Sequence, residues 1–243
     1  NLVANAPHVP VHLGSMDSSV QAVLALNRGR MKPGDVFVLN APYQGGTHLP
    51  DITVVTPVFD ASGETIRFIV ASRGHHADIG GVAPGSMSPR GRTIDEEGVY
   101  IDAMKLVDQG RFLEGEMRAI LAGASYPARN IDENIADLKA QVAANERGSA
   151  EVRKMIRQFG EDVVTAYMGH VQDNADAAVR QVIDGLKDGH FALPMDQGCT
   201  IAVSLTIDRT ARRARIDFTG TSPQRPDNFN APEPITRAAV LFV

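Results

Sequence analysis

Two short glycine-rich segments hold three of the seven histidines of the chain, together with two aspartates. The segments are residues 45–51 (GGTHLPD) and residues 72–81 (SRGHHADIGG). Their potential ligands are His48, Asp51, His75, His76 and Asp78. Imidazole nitrogens and carboxylate oxygens in this combination suit Zn, Mn or Fe(II) better than a metal that prefers thiolates. The segments therefore predict a metal-centred active site.

Strand-like runs beside these segments indicate how they meet. Residues 52–59 and 66–72 have the composition of strands and flank a turn at residues 60–63 (DASG). In an antiparallel hairpin, the start of the first strand lies beside the end of the second strand. The pattern therefore places His48 and Asp51 next to the histidine pair.

The residues of the second segment divide between two faces if the backbone is extended. His75 and His76 then point to opposite sides, whereas His76 and Asp78 share one side. Gly74 leaves the extended conformation uncertain, so the choice between the two histidines stays open at this point. The assignment that we test has metal ligands His48, Asp51 and His75, and catalytic residues His76, Asp78 and Arg73.

Each of these features also has a simpler interpretation. The histidine and aspartate of residues 45–51 are compatible with a local hydrogen bond and a turn cap. Arg73 suits either an anionic group of a substrate or a surface salt bridge. The acidic run 95–97 could supply a general base, although a solvated turn is the simpler interpretation. His8 and His12 lie in a proline-stiffened segment that could present one of them to a pocket.

The composition disfavours several classes of function. A formal net charge of −5 and a pI near 5.8 argue against a nucleic-acid-binding protein, because phosphate contact requires a basic face. No apolar run approaches the roughly 20 residues of a membrane-spanning helix, and no signal peptide is visible. The single cysteine is compatible with a reducing compartment. We therefore expect a cytoplasmic protein that binds neither nucleic acid nor membrane.

The ends of the chain predict a fragment of a longer polypeptide. The chain begins at Asn1 without an initiator methionine and stops in the apolar run 238–243 (AAVLFV). Such a run usually continues into an element of the core. A processed natural terminus is the alternative.

The hydrophobic patterns predict an α+β (mixed α/β) fold with β-hairpins, a mixed sheet and an inserted long antiparallel helical hairpin. Apolar residues spaced by three and four run through residues 131–159 and 164–186, with Gly160 between them. Asn145 and Ser149 interrupt the first stripe. We divide the chain into a metal-site α/β region (1–111), a helical hairpin region (112–188) and a C-terminal β-hairpin region (189–243) that continues the sheet domain.

Several segments resemble the hydantoinase B/oxoprolinase family, and they occur in order along essentially the whole chain. They are residues 5–16 (NAPHVPVHLGSM), 34–40 (GDVFVLN), 45–51, 72–81, 93–98 (TIDEEG) and 227–232 (DNFNAP). The two histidine segments are the specific part of the match. The family includes the B subunit of ATP-dependent hydantoinases, the corresponding part of 5-oxoprolinase and the alpha subunit of acetone carboxylase.

The resemblance implies one component of a two-component enzyme and hence a hetero-oligomer. In the family, an A-type partner of actin-like ATPase fold binds ATP and phosphorylates the carbonyl oxygen of a small-molecule substrate. The B-type component then hydrolyses the ring amide. The metal site of the family maps to His48, Asp51 and one histidine of the pair 75–76. ATP would then be bound by the partner, in line with a sequence that matches no nucleotide-binding fingerprint.

Two further functions are weighed beside cyclic-amide hydrolysis. The first is the alpha-type component of an ATP-dependent ketone carboxylase, which the family also contains. The second is an assembly module whose helical hairpin, residues 131–186, docks partner subunits. Family B subunits are considerably longer than this chain, and the resemblance places further residues before Asn1 and after Val243.

Overall fold

The computed structural model describes residues 2–6, 9–85 and 87–242. Its strands are β1 (Val36–Leu39), β2 (Asp51–Phe59), β3 (Ile66–His75), β4 (Met104–Asp108), β5 (Arg111–Phe112), β6 (Gly189–Pro194), β7 (Thr200–Asp208) and β8 (Arg213–Asp217). Its α-helices are α1 (Met16–Leu26), α2 (Ile94–Glu97), α3 (Glu114–Gly123), α4 (Ile131–Phe159), α5 (Glu161–Gly185) and α6 (Glu233–Phe242). The predicted α+β class is confirmed.

The chain divides into two compact units. The first unit runs to Lys154 and resumes at Pro226, and the second unit runs from Met155 to Arg225. The C-terminal helix α6 therefore belongs to the same unit as the histidine segments. The predicted regions are 1–111, 112–188 and 189–243. Their boundaries differ from those of the two units, and this division of the chain stays a prediction.

Five strands of the first unit form one sheet in the order β3-β2-β1-β4-β5. Every pairing between these strands is antiparallel, so the prediction of a mixed sheet is wrong. The reason lies in the connections. Turns and short loops join β1 to β2, β2 to β3 and β4 to β5, whereas parallel neighbours require a long crossover.

The two faces of this sheet bury different side chains, because successive residues of a strand alternate between faces. One face packs against α3 and α4 through Val36, Val38, Ile52, Val54, Leu106, Met117, Leu121, Ile135 and Leu138. The other face packs against α1 through Phe37, Leu39, Val55 and Val23. On β2, Asp51 and Thr53 therefore share the α1 face with Val55.

Polar side chains of α4 attach this helix to the central strands. The Nδ2 group of Asn145 donates to the carbonyl oxygen of Val54 at 3.0 Å and to Oγ1 of Thr56 at 3.2 Å. The Nε2 group of Gln141 donates to the carbonyl oxygen of Ile52 at 2.9 Å. The sequence pattern predicts that Asn145 interrupts an apolar seam between two helices, whereas in the structure Asn145 contacts the sheet.

The two long helices and the break at Gly160 are confirmed. On α5 the predicted seam is buried at Val164, but its predicted burial further along the helix is wrong. Tyr167 is 67% exposed, Val171 is 48% exposed and Val182 is 55% exposed. On α4, the apolar stripe is buried at Ile135, where it packs against the sheet core described above. Within the described residues, no helix combines the length and apolarity needed to cross a membrane.

The second unit contains a three-stranded antiparallel sheet in the order β6-β7-β8. The predicted hairpin corresponds to β7 and β8, and β6 is an additional strand that the sequence pattern did not predict. Cross-strand pairs place apolar residues on one face, namely Phe191 with Val203, Leu193 with Ile201 and Leu205 with Ile216.

Candidate metal centre

The register of the β2–β3 hairpin brings the two ligand-bearing segments together. Asp51 lies opposite His75, and Thr53 lies opposite Arg73. Because these residues are two apart on each strand, all four lie on the α1 face of the sheet. The strand β3 continues three residues beyond its predicted end at Ser72. The predicted hairpin is confirmed, and His75 is part of its second strand.

A tight loop between β1 and β2 places His48 at the start of β2. Gly45 has a left-handed φ of 87°, and a Cβ atom there would lie 2.4 Å from the carbonyl carbon of Ser18. The loop can therefore approach α1 this closely only with glycine at this position. At the other end of the loop, the Nδ2 group of Asn40 donates to the carbonyl oxygen of Leu49 at 2.8 Å. Both ends of the loop that carries His48 are thus fixed.

His48, Asp51 and His75 form a compact group of donor atoms. One side-chain atom from each residue lies within 4.8 Å of the other two. The Nδ1–H groups of His48 and His75 donate to separate oxygens of Asp51, to Oδ2 at 2.7 Å and to Oδ1 at 3.0 Å. The centroids of the two imidazole rings are 5.2 Å apart. Two imidazole nitrogens and a carboxylate at this span match the donor set of a Zn, Mn or Fe(II) site.

Asp51 lies at the buried floor of this group. Its side chain is 3% exposed, whereas the side chains of His48 and His75 are 31% and 47% exposed, so one side of the group is open to solvent. Burial raises the pKa of Asp51, but hydrogen bonds from His48, Thr47 and His75 lower it by more, to well below the usual range. The Oγ1–H group of Thr47 donates to Oδ2 at 2.6 Å. Asp51 is therefore an anion at neutral pH, as a metal ligand must be.

These residues fit a divalent cation. The carboxylate supplies the negative charge, and each imidazole offers a nitrogen lone pair once its proton lies on the other ring nitrogen. A cation held by these three residues would have its remaining coordination positions on the exposed side of the group, where catalytic metal sites bind water or a substrate oxygen.

The guanidinium of Arg73 lies beside this group among hydroxyl oxygens. Its Nε atom donates to Oγ1 of Thr53 at 2.7 Å. Its Nη2 atom donates to Oγ of Ser19 at 2.8 Å, and its Nη1 atom donates to Oγ of Ser15. Burial lowers the pKa of Arg73 to about 10, so the side chain is charged at neutral pH.

His12 is a third imidazole near the group. Its Nδ1 atom lies 3.9 Å from Oδ2 of Asp51 and 3.4 Å from Nη1 of Arg73. A guanidinium has only donors, so Nδ1 is the acceptor in the contact with Arg73. The structure thus brings His12 to the site. The other candidate of the same segment, His8, lies outside the described residues.

His76 and Asp78 make contacts elsewhere. His76 is 1% exposed and faces α4, where its Nε2–H group donates to Oε1 of Gln141 at 3.2 Å and its Nδ1 atom accepts from Asn134 at 3.0 Å. Burial lowers the pKa of His76, against the opposing effect of Gln141. Asp78 forms an ion pair with Arg129 at 2.6 Å. Neither residue joins the donor group, and a catalytic role for either stays a prediction.

The acidic run 95–97 divides between capping and the surroundings of the site. Glu96 forms a capping box with Thr93 at the start of α2. Burial raises the pKa of Glu97, and interaction with His48 opposes that effect.

Sequence reasoning missed the residues that hold the ligands in place. They are Ser15, Ser19, Asn40 and Thr47. A signal for one pair was present, because Ser15 and Ser19 are four apart and so lie on one face of a helix. Thr47 lies inside the first glycine-rich segment, but only the folded loop brings its hydroxyl to Asp51.

Comparison with known proteins identifies the family of this chain. A family model described as hydantoinase B/oxoprolinase matches residues 1–243. The chain belongs to this family. The resemblance inferred from the histidine segments is therefore confirmed.

Several named proteins are similar to this chain in sequence. The chain is 45% identical to 5-oxoprolinase 1 of Arabidopsis thaliana, over 99% of this chain and 21% of that protein. It is 30% identical to caprolactamase subunit beta of Pseudomonas jessenii, over 79% of this chain and 32% of that protein. The chain spans about a fifth of the length of several curated relatives that it matches.

Two solved structures have the same fold. The crystal structure of ATP-dependent caprolactamase from Pseudomonas jessenii superposes with a TM-score of 0.83 at 26% identity, over 98% of this chain and 41% of that chain. Nucleotide-free acetone carboxylase superposes with a TM-score of 0.82 at 18% identity, over 98% of this chain and 34% of that chain. The second likeness shows the fold alone.

Proposed function

We propose that this chain carries the metal centre of an ATP-dependent cyclic-amide hydrolase of the hydantoinase/5-oxoprolinase type. The observation that carries the proposal is the group of His48, Asp51 and His75, whose donor atoms lie within 4.8 Å of one another. Relatives named 5-oxoprolinase and caprolactamase support the substrate class, because 5-oxoproline and caprolactam are both cyclic amides.

The buried and the exposed residues of the site would have different roles in the reaction. Asp51 keeps its negative charge in the buried part of the site, and the partly exposed side chains of His48 and His75 each place Nδ1 beside its carboxylate. A divalent metal held by these three residues would polarise a carbonyl oxygen or lower the pKa of a bound water. Thr47 keeps Oδ2 of Asp51 in place, so that the carboxylate does not rotate away.

We further propose that an A-type ATPase subunit or domain acts with this chain and phosphorylates the substrate. The solved relative is named an ATP-dependent caprolactamase, and the matching curated chain is named a subunit beta. Phosphorylation of the carbonyl oxygen makes the amide carbon more electrophilic, so that water can add to it. The ring C–N bond then breaks and frees the amine, and hydrolysis of the resulting acyl phosphate releases the carboxylate and phosphate, which explains why a stable ring amide needs ATP. The partner is a separate subunit or a domain of the same long polypeptide, as the length of the 5-oxoprolinase relatives allows.

Metal analysis of the full-length protein purified with its ATPase partner tests the metal centre. We expect bound Zn, Mn or Fe in the wild type, and loss of that metal in His48→Ala and in Asp51→Ala. His190→Ala is the matched control, because His190 is exposed on β6 and bonds only Ser204 among the contacts described. Unchanged metal content in both site variants would count decisively against the proposal.

The substrate class is tested on the same reconstituted complex. We expect ATP-dependent hydrolysis of hydantoin or 5-oxoproline and no carboxylation of acetone by bicarbonate. The fold shared with acetone carboxylase makes carboxylation the alternative outcome. Turnover of the ketone without turnover of either cyclic amide would reverse the assignment.

A further inference from the structure

The guanidinium of Arg73 contacts β2 and the N-terminal side of α1, next to the donor group. Arg73 lies on β3 two residues before His75, and its Nε atom donates to Oγ1 of Thr53 at 2.7 Å. Thr53 lies on β2 two residues after Asp51. One hydrogen bond therefore joins the strands that carry two of the three ligands, at the positions next to those ligands on the same face.

A second path leads from Arg73 to the loop that carries His48. The Nη2 atom of Arg73 donates to Oγ of Ser19 at 2.8 Å. The hydroxyl of Ser19 donates in turn to the carbonyl oxygen of Gly45 at 2.6 Å. Ser19 is fully buried, so neither bond is exchanged for water without cost. Through Ser19, the guanidinium is linked to the start of the segment 45–51.

The remaining contacts of Arg73 reach the N-terminal side of α1. Nη1 donates to Oγ of Ser15 and lies 3.4 Å from Nδ1 of His12. A guanidinium has five N–H donors in a fixed fork, and four of them serve Thr53, Ser19, Ser15 and His12. A bidentate bond to a carboxylate or phosphate requires two parallel donors from this fork. Four of the five donors already bond to protein atoms, so no parallel pair of donors remains for such a ligand.

We infer that Arg73 is a positioning residue that fixes the spacing of His48, Asp51 and His75, and that it does not clamp an anionic group of the substrate. This inference rests on the proposed metal centre for its functional meaning. The geometry of the links exists without the metal, so the two ideas can fail separately.

Hydrogen exchange on the metal-free full-length protein tests the links directly. We compare the wild type with Arg73→Lys, which keeps the charge but loses the planar fork. We expect faster exchange, by at least tenfold, in residues 45–49 and around residues 12–19. Arg67→Lys is the matched control, because Arg67 lies on the same strand and its side chain is 46% exposed.

Titration with Mn²⁺ alone tests the consequence for the metal centre. We expect Arg73→Lys to bind Mn²⁺ with roughly 10- to 100-fold lower affinity, the loss typical of residues that orient metal ligands. Ser19→Ala removes only the link to Gly45, and we expect a smaller loss. The double variant should lose less than the sum of the two, since both changes interrupt one path.

The alternative role predicts a different set of results. If Arg73 clamps the substrate, Arg73→Lys raises KM for the cyclic amide, while hydrogen exchange and Mn²⁺ affinity stay at wild-type values. That result overturns the inference. If the wild type binds no Mn²⁺, Zn²⁺ or Fe²⁺, the proposed function fails, and the exchange data still decide the role of Arg73. If Arg73→Lys does not fold, Ser19→Ala and Thr53→Val test the same links one at a time.

Discussion

The carboxylate of Asp51 is the group that both imidazoles of the donor group contact. It is buried, and burial alone would favour its neutral form. Hydrogen bonds from two imidazoles and from Thr47 reverse that preference. Hydrogen bonds from neighbouring side chains therefore stabilise the charged form of Asp51. Removal of any one of these neighbours should make that charged form less stable.

Thr47→Val removes one of these donors at nearly constant volume. We expect the unfolding free energy to fall by about 1.5–3 kcal/mol, because a buried charged acceptor loses a hydrogen bond. Metal affinity should fall as well, by about tenfold. Thr65→Val is the control, because Thr65 is exposed in the turn before β3. Denaturant unfolding and Mn²⁺ titration measure the two effects, and equal behaviour of the two variants contradicts the role of Thr47.

His76 predicts a specific dependence of stability on pH. Burial holds its pKa in the folded protein below the ordinary value near 6.5, so the folded protein takes up this proton only at lower pH. The unfolded chain binds the proton first as the pH falls. Stability is therefore complete above pH 6.5 and decreases below it, by at most about 1.4 kcal/mol per pH unit for one proton.

His76→Gln removes this contribution and isolates it from the other histidines. Chemical denaturation between pH 7 and pH 5 should show a shallower loss of stability in the variant than in the wild type. His190→Gln changes an exposed histidine and should keep the wild-type slope. An unchanged slope in His76→Gln would show that the buried imidazole does not titrate in this range.

At the scale of elements, the contact between α1 and the loop before β2 sets the position of His48. This contact needs glycine at residue 45, where φ is 87° and a Cβ atom would meet the backbone of Ser18 and Ser19. The loop packs closely against α1 because Gly45 has no side chain, and the hydrogen bond from Ser19 to the carbonyl oxygen of Gly45 holds it there.

Gly45→Ala should separate the loop from α1. We expect a loss of about 1–3 kcal/mol in stability, from left-handed strain and the displaced backbone, together with weaker Mn²⁺ binding. Gly115→Ala is the matched control, because Gly115 lies inside α3 with no atom near the added Cβ. This second change should raise stability by about 0.5–1 kcal/mol. Calorimetry measures both, and a neutral Gly45→Ala would show that the loop tolerates a side chain.

The elements themselves could be predicted from periodicity to different degrees. The hairpin of β2 and β3 followed from its composition and its turn, and the register of that hairpin is what brings Asp51 to His75. The apolar stripe of α4 was recognised, but its partner was assigned incorrectly. An apolar stripe indicates which face of a helix favours burial, but it does not indicate whether a helix or a sheet covers that face.

At the scale of the whole molecule, the donor group belongs to the first of two compact units. A metal that binds the folded state alone stabilises it by mass action, by about 2.7 kcal/mol at a concentration one hundred times Kd. Saturation with Mn²⁺ should therefore slow hydrogen exchange in β1, β2 and β3. The strands β6, β7 and β8 hold no residue of the group and serve as an internal reference.

Removal of the metal by a chelator should reverse this protection. The reversal should be absent in Asp51→Asn, which keeps the shape of the side chain but loses its charge. Protection that appears equally in Asp51→Asn would place the cation elsewhere in the molecule. The exchange experiment thus tests the location of the site without any assay of turnover.

The sequence by itself determined the donor types, the hairpin that carries them and the family. These features are local: a glycine-rich segment, a turn and two strands of alternating pattern specify one another over about 30 residues. The sequence also indicated that His75 and His76 would face opposite sides if the backbone is extended there, because adjacent residues of a strand point to opposite faces.

Only the tertiary structure placed His75 beside Asp51 and His76 against α4, and gave Arg73 its contacts. The α1 face receives His75 and is lined by Ser15 and Ser19, whereas the opposite face receives His76 and is covered by the amides of α4. These partners come from segments far apart in the chain. Apart from the spacing of Ser15 and Ser19, the sequence does not indicate which groups a hydroxyl or an amide will contact. Local patterns specify which groups are available, and packing between distant segments decides which of them share one buried face.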